Sequence, residues 1–415
     1  MRRQKTKLGR KVGVLGSAAV VAASGLVWGS TGAQAAFPGI NGVIACQTNR
    51  TGNNEIFAFN PAGTELAPVN LTNNPASDAR PRYSPDGRTI VFESNRSGSV
   101  ELWLMNSDGS NQRRLTFSPA SGHGNGAANF SPGGDQIVYQ TTRTPGNSFD
   151  IWRIDVDGTN DTPLVTSPVE DSLPSWSPNG DKIAFSTRQV DPATDVHLIN
   201  PDGTGSVDIT NSPGEDSWPV WSPDGTMIAF HSRLHDPVGE EIYRINANGT
   251  GRTQLTTNPP PTNSSAFDIF PFWSPDGTRI GWNSGRAGGP DGFGEIYTMN
   301  ASDGSGVQRI TNNPAADQRC DWQPLCTIYG SGRIIGTPGD DIICGSEGND
   351  QIFGNGGNDR ILGLGGSDQI FGNPGNDKIF GGAGPDSIFG QGGTDIGDGG
   401  TGRDSCSGVT TARSC

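Results

Sequence analysis

Histidine and basic side chains are scarce in this chain of 415 residues. It contains 4 histidines, and its 29 Lys and Arg are outnumbered by 43 Asp and Glu, which gives a formal net charge of −14. An acidic surface is unfavourable for contact with nucleic acid or an anionic membrane, so we expect neither as a partner. The composition fits cation binding, although a merely solvated acidic surface would look the same.

Recognisable catalytic motifs are also lacking. The sequence has neither the G-x-S-x-G turn of hydrolases nor the H-E-x-x-H pattern of zinc proteases. The four histidines are scattered, and only His231 and His235 lie near each other, at a predicted strand end and in the loop after it; the other two are His123 and His197. The sequence therefore predicts a protein that is not an enzyme. A hydrolase or lyase with a site built from scattered loop residues is the alternative.

Long apolar runs are missing after residue 35. Before it, six basic side chains precede an apolar stretch over residues 12–29, and Ala33-Gln34-Ala35 offers a small-x-small cleavage site. This order is typical of a secretory signal peptide. A membrane anchor is the alternative, but the stretch is rich in Gly, Ser and Ala and ends in a processing site. We expect residues 1–35 to be removed and the protein to be secreted without a membrane span.

Aspartate recurs at every ninth residue near the C-terminus. Eight units run from Gly336 to about Asp404, and units such as 354–362 (GNGGNDRIL) follow the order G-G-x-G-x-D-x-U-x, where U is large and apolar. The glycines allow tight turns, and each x-U-x stretch makes a short strand with its U side chain inward. Two units complete a turn, so aspartates 18 residues apart should stack. These are Asp341, Asp350, Asp359, Asp368, Asp377, Asp386, Asp395 and Asp404.

Stacked carboxylates would repel one another without a cation. Hard oxygen ligands in a glycine loop suit calcium better than a transition metal, because no histidine or free thiolate occupies a ligand position. We predict Ca2+ as the cofactor and all eight aspartates as its ligands, together with backbone carbonyls. The inward Ile343, Ile352, Ile361, Ile370, Ile379 and Ile388 give a thin core, so folding should depend on the ion. A disordered Gly- and Asp-rich tail is the alternative.

These units resemble the RTX, or haemolysin-type, calcium-binding repeats. The resemblance implies a parallel β-roll of about four turns over residues 336–415, with a C-terminal cap, and a linker over residues 325–335. The terminal units depart from the pattern. The first reads GTPGDDIIC, the seventh has Gly397 at the apolar position, and the eighth has Cys406 there.

A second repeat, with a period of about 45 to 52 residues, fills positions 37–324. Each repeat has an aromatic residue and a turn such as WSPDG, a β-patterned run such as IAF, a second run ending in a polar turn, and a short last run. Four strands per repeat make one blade of a propeller. The first repeat lacks its opening strand, whereas CDWQP at residues 320–324 is a spare one, so six blades close with the first built from both ends.

The register in which the ring closes determines which cysteines lie opposite each other. The turn after Tyr83 pairs Tyr83 with Ile90, and transferring that register sets Cys46 opposite Cys320, at a Cα separation of about 4.5 to 5.5 Å that a disulfide can span. An even number of cysteines in an oxidising compartment favours disulfides. Many pairings are possible in principle. We favour Cys46 with Cys320, Cys326 with Cys344, and Cys406 with Cys415.

The W-S-P-D-G-T turn, the I-A-F strand and the E-I-Y-x-M-N-x-D-G strand resemble the TolB-like propeller repeats, relatives of WD40-like blades. The resemblance covers essentially all of residues 37–324, and the blade with SPGG and Phe130 departs most. It implies an all-β chain, with a six-bladed β-propeller followed by the β-roll. It also implies a scaffold that binds a protein or ligand.

Polar side chains should ring one mouth of the propeller channel: Asp78, Asn125, Asp171, Asp216, Asp268 and Asp317. A cation funnel is one interpretation. An arginine ends each second strand beside them, so a structural ion pair per blade is favoured; these are Arg50, Arg96, Arg143, Arg188, Arg233 and Arg286. Aromatic residues of the opening strands are expected to pack between blades rather than form a carbohydrate platform.

Phe353, Phe371 and Phe389 lie 18 residues apart, with Leu362 and Phe380 on the other face of the roll. An exposed ladder could dock the propeller, a partner or a second copy, and stabilisation between turns is the alternative. The sequence as a whole predicts a secreted calcium-binding protein whose propeller binds an extracellular protein or cell-surface ligand. A calcium-stabilised propeller enzyme and a structural surface-layer component are the rival hypotheses.

Overall fold

A computed structural model of the chain describes residues 40–61, 67–118, 124–143, 148–188, 193–234, 239–257, 267–286, 294–346 and 348–415. The predicted signal peptide lies outside the described residues, as do His123 and His235. The described part contains strands and no helix, which confirms the all-β prediction. The described residues therefore include no helix long and apolar enough to cross a membrane.

The first domain is a propeller of six four-stranded antiparallel sheets. Its described strands are β1 Ile40–Thr48, β2 Glu55–Phe59, β3 Val69–Asn70, β4 Asp78–Tyr83, β5 Thr89–Ser94, β6 Glu101–Asn106, β7 Arg113–Arg114, β8 Asn125–Phe130, β9 Gln136–Thr141, β10 Asp150–Asp155, β11 Thr162–Val165, β12 Asp171–Trp176, β13 Ile183–Thr187, β14 Asp195–Ile199, β15 Val207–Asp208, β16 Asp216–Trp221, β17 Met227–Ser232, β18 Glu241–Asn246, β19 Thr253–Gln254, β20 Asp268–Trp273, β21 Arg279–Ser284, β22 Glu295–Asn300, β23 Gln308–Arg309 and β24 Asp317–Leu325. Five blades are consecutive in sequence. The sixth sheet has the order β24-β1-β2-β3, so both ends of the domain build the first blade, as predicted.

The seam of the ring is covalently closed. Strand β24 pairs with β1 so that Ile44 faces Trp322, and this register sets Cys46 against Cys320. The two cysteines form a disulfide with a Cα separation of 4.1 Å, slightly shorter than expected. The other two favoured disulfides, Cys326–Cys344 and Cys406–Cys415, are also present.

The innermost strand of every blade contains a bulge that the sequence does not reveal. Tyr83 pairs with Ile90 as predicted, but farther along the strand Asp78 pairs with Ser94, one residue out of that register. The extra residue is Arg80, whose φ of 48° is in the left-handed region. The equivalent residues Ala127, Leu173, Trp218, Phe270 and Arg319 also have positive φ. The bulge is thus a sixfold feature of the fold.

The aromatic residues before the turns pack between blades. Each is at most 4% exposed; they are Tyr83, Phe130, Trp176, Trp221, Trp273 and Trp322. The Trp221 and Trp273 indoles donate hydrogen bonds of 3.1 Å to the Ser175 and Val220 carbonyls of the preceding blade. Such burial excludes a carbohydrate platform at these six positions.

The C-terminal domain is a parallel β-roll of about five turns. Its strands are β25 Ile328–Tyr329, β26 Arg333–Ile335, β27 Ile342–Cys344, β28 Gln351–Phe353, β29 Arg360–Gly365, β30 Gln369–Pro374, β31 Lys378–Ala383, β32 Ser387–Gly392, β33 Ile396–Thr401, β34 Ser405–Ser407 and β35 Thr411–Arg413. Odd-numbered and even-numbered strands form two facing sheets. The six predicted inward isoleucines are fully buried between them, and Ile334 joins this core.

The roll begins earlier than predicted. The expected linker, residues 325–335, contributes β25 and β26, in which Ile328 pairs with Ile343 and Ile334 pairs with Ile352. These isoleucines take the inward position although no G-x-D pattern surrounds them. The apolar side chain is therefore sufficient to extend the roll beyond the repeat, and only two residues separate the propeller's last strand from its first turn.

One sheet of the roll packs on the propeller's S-P-x-G turns. The Arg360 guanidinium is buried and donates to the carbonyls of Pro178 at 3.2 Å and Pro132 at 3.1 Å. Phe380 lies under this guanidinium, 4.7 Å away, and is 2% exposed. Arg413 adds a hydrogen bond to the Asn179 carbonyl. The roll therefore covers part of this face of the ring.

Candidate metal centre

The eight predicted ligands lie where the chain enters the strands of the roll. Asp341, Asp359, Asp377 and Asp395 precede strands of one sheet, and Asp350, Asp368, Asp386 and Asp404 precede strands of the other. Seven of them are at most 8% exposed, and Asp404 is half-buried. The structure thus brings the aspartates together in two rows along the edges of the roll.

Within a row, backbone hydrogen bonds from the preceding turn fix Oδ1 of every aspartate after Asp341. The N–H of Asp341 donates to Oδ1 of Asp359 at 2.9 Å, and the N–H of Asp359 donates to Oδ1 of Asp377 at 2.8 Å. The same bond recurs at 2.8–2.9 Å down both rows. The other oxygen, Oδ2, is left to face the glycine loop of its own unit.

In four buried aspartates, Oδ2 has no hydrogen-bond partner among the described residues: Asp359, Asp377, Asp386 and Asp395. A methyl group on Gly381 or Gly390 would come within 2.5 Å of the Oδ2 atom of its unit, so only glycine fits there. A buried carboxylate oxygen without a donor is costly. Carboxylate oxygen is also the ligand that calcium prefers. These side chains therefore fit a hard cation, because they offer carboxylate oxygens and because one oxygen of each has no hydrogen-bond donor.

The electrostatics of the rows agree with this interpretation. Burial raises the pKa of Asp359, Asp377 and Asp386 to about 6, and neighbouring aspartates add to the rise. A cation would favour the ionised form. No three His, Cys, Asp or Glu side chains in the described ranges converge on one point. An ion would therefore need carbonyl oxygens of the glycine loops beside the carboxylates, as the repeat predicts.

The C-terminal units are closed by other means. Gly397 stands where an inward isoleucine is expected, and a methyl group on it would meet Val409 at 3.0 Å and Ile388 at 3.2 Å. Their side chains fill the missing volume. Cys406 packs beside them and is joined to Cys415. Oδ2 of Asp404 in this last unit also has no hydrogen-bond partner among the described residues.

The six polar residues predicted to ring the channel begin the innermost strands and are at most 1% exposed, and four of them are neutralised by ion pairs. Three predicted pairs form, namely Asp78–Arg96 at 2.6 Å, Asp317–Arg50 at 2.8 Å and Asp268–Arg286. Asp216 instead binds Arg252, at 2.7 Å. In the remaining two blades Asn125 donates to Glu101 and Asp171 accepts from Ser167 Oγ, both at 2.7 Å. The expectation of an arginine from the second strand in every blade is therefore wrong. In three blades the polar residue contacts Arg252, Glu101 or Ser167 instead.

Sequence reasoning missed a second set of buried carboxylates, at the start of the third strand. Glu101, Glu241 and Glu295 each accept a 2.6 Å hydrogen bond from a threonine of the outer segment. Glu55 and Asp195 accept the equivalent bond. The signal was present, since an acid opens this strand in each repeat. These groups hold the blade edge and are not oriented as a site.

The histidines form no pair in the described part of the chain. His231 is 7% exposed, and burial lowers its pKa to about 3. Its Nδ1 accepts a 3.4 Å hydrogen bond from the N–H of Phe270. His197 is also buried, which lowers its pKa. His235, which is near His231 in the sequence, lies outside the described residues.

The phenylalanine ladder is stacked on itself. Ring centroids are 4.9 Å apart between Phe353 and Phe371 and 4.8 Å between Phe371 and Phe389, with interplanar angles below 10°. Arg333 lies over the Phe353 ring at 5.0 Å. The ring faces are thus used within the roll, which favours stabilisation between turns. The opposite sheet, with Leu362 and Phe380, is the one that contacts the propeller.

Comparison with known families gives two matches. The TolB beta propeller domain matches residues 19–211 and 203–328, and the RTX calcium-binding nonapeptide repeat matches residues 335–370 and 371–406. Together they span both described domains. The crystal structure of TolB from Acinetobacter baumannii superimposes with a TM-score of 0.55 at 16% identity, covering 68% of this chain and 67% of that one. At this identity the likeness concerns the fold alone.

Two curated relatives match only part of this chain. An uncharacterized protein of Agrobacterium fabrum is 32% identical over 126 residues, which is 28% of this chain and 41% of the relative. The Tol-Pal system protein TolB of Anaeromyxobacter sp. (strain K) is 36% identical over 98 residues, 23% of this chain and 21% of the relative. The chain thus spans less than half the length of these two relatives.

Proposed function

We propose that this chain, which belongs to the TolB beta propeller family and ends in RTX calcium-binding nonapeptide repeats, is a secreted calcium-binding protein whose propeller acts as an extracellular binding scaffold. The observation that carries the calcium part is the set of buried Oδ2 atoms without hydrogen-bond partners in Asp359, Asp377, Asp386 and Asp395. Secretion is supported by three disulfides and by the N-terminal sequence pattern.

The chain's own groups would do most of the work in holding calcium. Backbone N–H groups fix Oδ1 of every aspartate after Asp341, and the glycine beside Oδ2 leaves room for a ligand to approach it. A bound ion would supply the positive charge that the two rows lack. The isoleucine core is only one side chain wide and stabilises the roll little by itself. Relief of the repulsion between stacked aspartates would therefore decide whether the roll folds.

The ion pairs at the starts of the innermost strands, and the buried His231, favour a scaffold over an enzyme. Four acids at these strand starts have arginine partners, and burial of His231 lowers its pKa to about 3, which leaves it neutral and hydrogen-bonded at physiological pH. The roll already occupies part of the face that carries the S-P-x-G turns. We propose that the partner, a protein or cell-surface ligand, binds the opposite face.

The test is a calcium titration of the secreted protein by isothermal calorimetry, with circular dichroism before and after addition of EGTA. The expected result is saturable binding with a gain of β structure that EGTA reverses. Magnesium at the same concentration is the control, because its octahedral preference suits a carbonyl-rich loop poorly. The variant D359N/D377N/D395N should lose most of the calcium that binds along the row to which these aspartates belong. Absence of calcium binding by the unaltered protein would overturn the proposal.

A further inference from the structure

The first two units of the roll differ from the later ones at the carboxylate. Oδ2 of Asp341 accepts hydrogen bonds from the N–H of Thr337 at 2.6 Å and from its hydroxyl at 2.8 Å. Oδ2 of Asp350 accepts the same two bonds from Ser346, at 2.7 and 2.9 Å. In Asp359 and Asp377 the corresponding atom has no donor. The oxygen that would face an ion in the later units is thus occupied by the chain itself in the first two.

The backbone changes at the same point. The second residue of each later unit is in the left-handed region, with φ of 75° at Asn355, 77° at Leu364 and 70° at Asn373. A bulky residue such as Leu364 rarely adopts this conformation unless surrounding interactions fix it. Thr337 and Ser346, at the same position in the first two units, are not among the positive-φ residues. Their N–H groups point to the aspartate, whereas the left-handed residues direct theirs elsewhere.

The sequence cause is the second residue of the unit. Threonine and serine carry a hydroxyl that can bond a carboxylate four residues later, and such bonds favour a local turn. Asparagine, leucine, glycine and glutamine occupy this position in the later units and form no such bond to the aspartate there. Asp350 is further satisfied because the N–H of Gly332 donates to its Oδ1. Its carboxylate therefore has donors on both oxygens without an ion.

We infer that the calcium sites of this roll begin at Asp359, and that Asp341 and Asp350 instead form an ion-independent turn, directly after the β25–β26 turn, in which Thr337 and Ser346 replace calcium. This inference rests on the proposed function. This ion-independent turn is tied to the propeller's end by the Cys326–Cys344 disulfide. It would remain folded in calcium-free protein and provide the edge on which later turns assemble.

The test compares D350N with D377N, both full-length, by equilibrium dialysis against calcium followed by elemental analysis of bound ions per chain. D377N is expected to bind at least one ion fewer than the unaltered protein, and D350N the same number. Without calcium the order reverses. D350N should melt at a lower temperature, because it replaces the carboxylate oxygen that accepts hydrogen bonds from Ser346. D377N should melt at an equal or higher temperature.

Loss of as many ions by D350N as by D377N would overturn the inference while leaving calcium binding intact. Absence of bound calcium in the unaltered protein would instead contradict the proposed function, so the two failures are distinguishable. If D350N does not fold, S346A replaces it, since it removes only the hydroxyl. An unchanged ion count with a lower calcium-free melting temperature supports the inference, and a reduced ion count in S346A contradicts it.

Discussion

Arg360 offers a quantitative test of how the roll is held on the propeller. Its guanidinium is 4% exposed and makes two hydrogen bonds to carbonyls, each worth about 1.5 to 3 kcal/mol for a charged donor. Burial lowers the pKa of Arg360 from 12.5 to about 9. At about 1.4 kcal/mol per pH unit, this corresponds to a desolvation cost of about 5 kcal/mol. Gain and cost nearly cancel.

The contribution that remains is burial of the aliphatic stem of the side chain. Three methylenes at about 0.8 kcal/mol each give about 2 kcal/mol. R360M keeps this burial and loses the charge, so we expect it to change the free energy of unfolding by less than about 1 kcal/mol. R360A loses both and should cost about 2 kcal/mol.

Urea unfolding in saturating calcium measures these differences. Eight of the nine tryptophans lie in the propeller and none lies in the roll, so tryptophan fluorescence of the mature protein reports the propeller, and circular dichroism reports both domains. R113A is the control, because Arg113 lies on the surface of an outer strand and donates to the Val156 carbonyl away from the roll. If R360M destabilises as much as R360A, the charge is net stabilising and the cancellation argued above is wrong.

Two further predictions concern the propeller. His231 is buried and neutral, with a pKa near 3 against 6.5 in the unfolded chain, so the unfolded state binds more protons between these values and stability should fall as pH drops below 6.5. From pH 7 to pH 5 the loss should be about 2 kcal/mol, and H231Q should lack this component in urea titrations; an unchanged pH slope would contradict it. Removal of the ring-closing disulfide by C46S/C320S should cost about 2 to 5 kcal/mol in calorimetry, with C406S/C415S as the matched control for a short loop. Equal losses in the two double variants would refute the importance of the seam.

Sequence alone predicted those features that repeat or that follow from pairing rules. The nine-residue phase of glycine, aspartate and isoleucine gave the roll, and the missing opening strand gave the ring closure and Cys46–Cys320. The bulge at Arg80 was not predictable, because its positive φ depends on strand curvature and not on residue type. The roles of Arg360 and Phe380 were also missed. Docking depends on which sheet of the roll meets the propeller, and the repeat is the same on both sheets.

The short connection between the domains has a mechanical consequence. Tension applied at the C-terminus would break the Arg413 and Arg360 contacts with the propeller as it removes the turns of the roll one after another, because within the roll each turn contacts only its neighbours. This unwinding would stop at Cys344, since the Cys326–Cys344 disulfide bypasses the first turn, and Cys320–Cys46 then carries the load across the ring. Residues 345–404 could extend to about 200 Å at roughly 3.3 Å per residue while the propeller stays closed. The roll would then lengthen under load before the propeller opens.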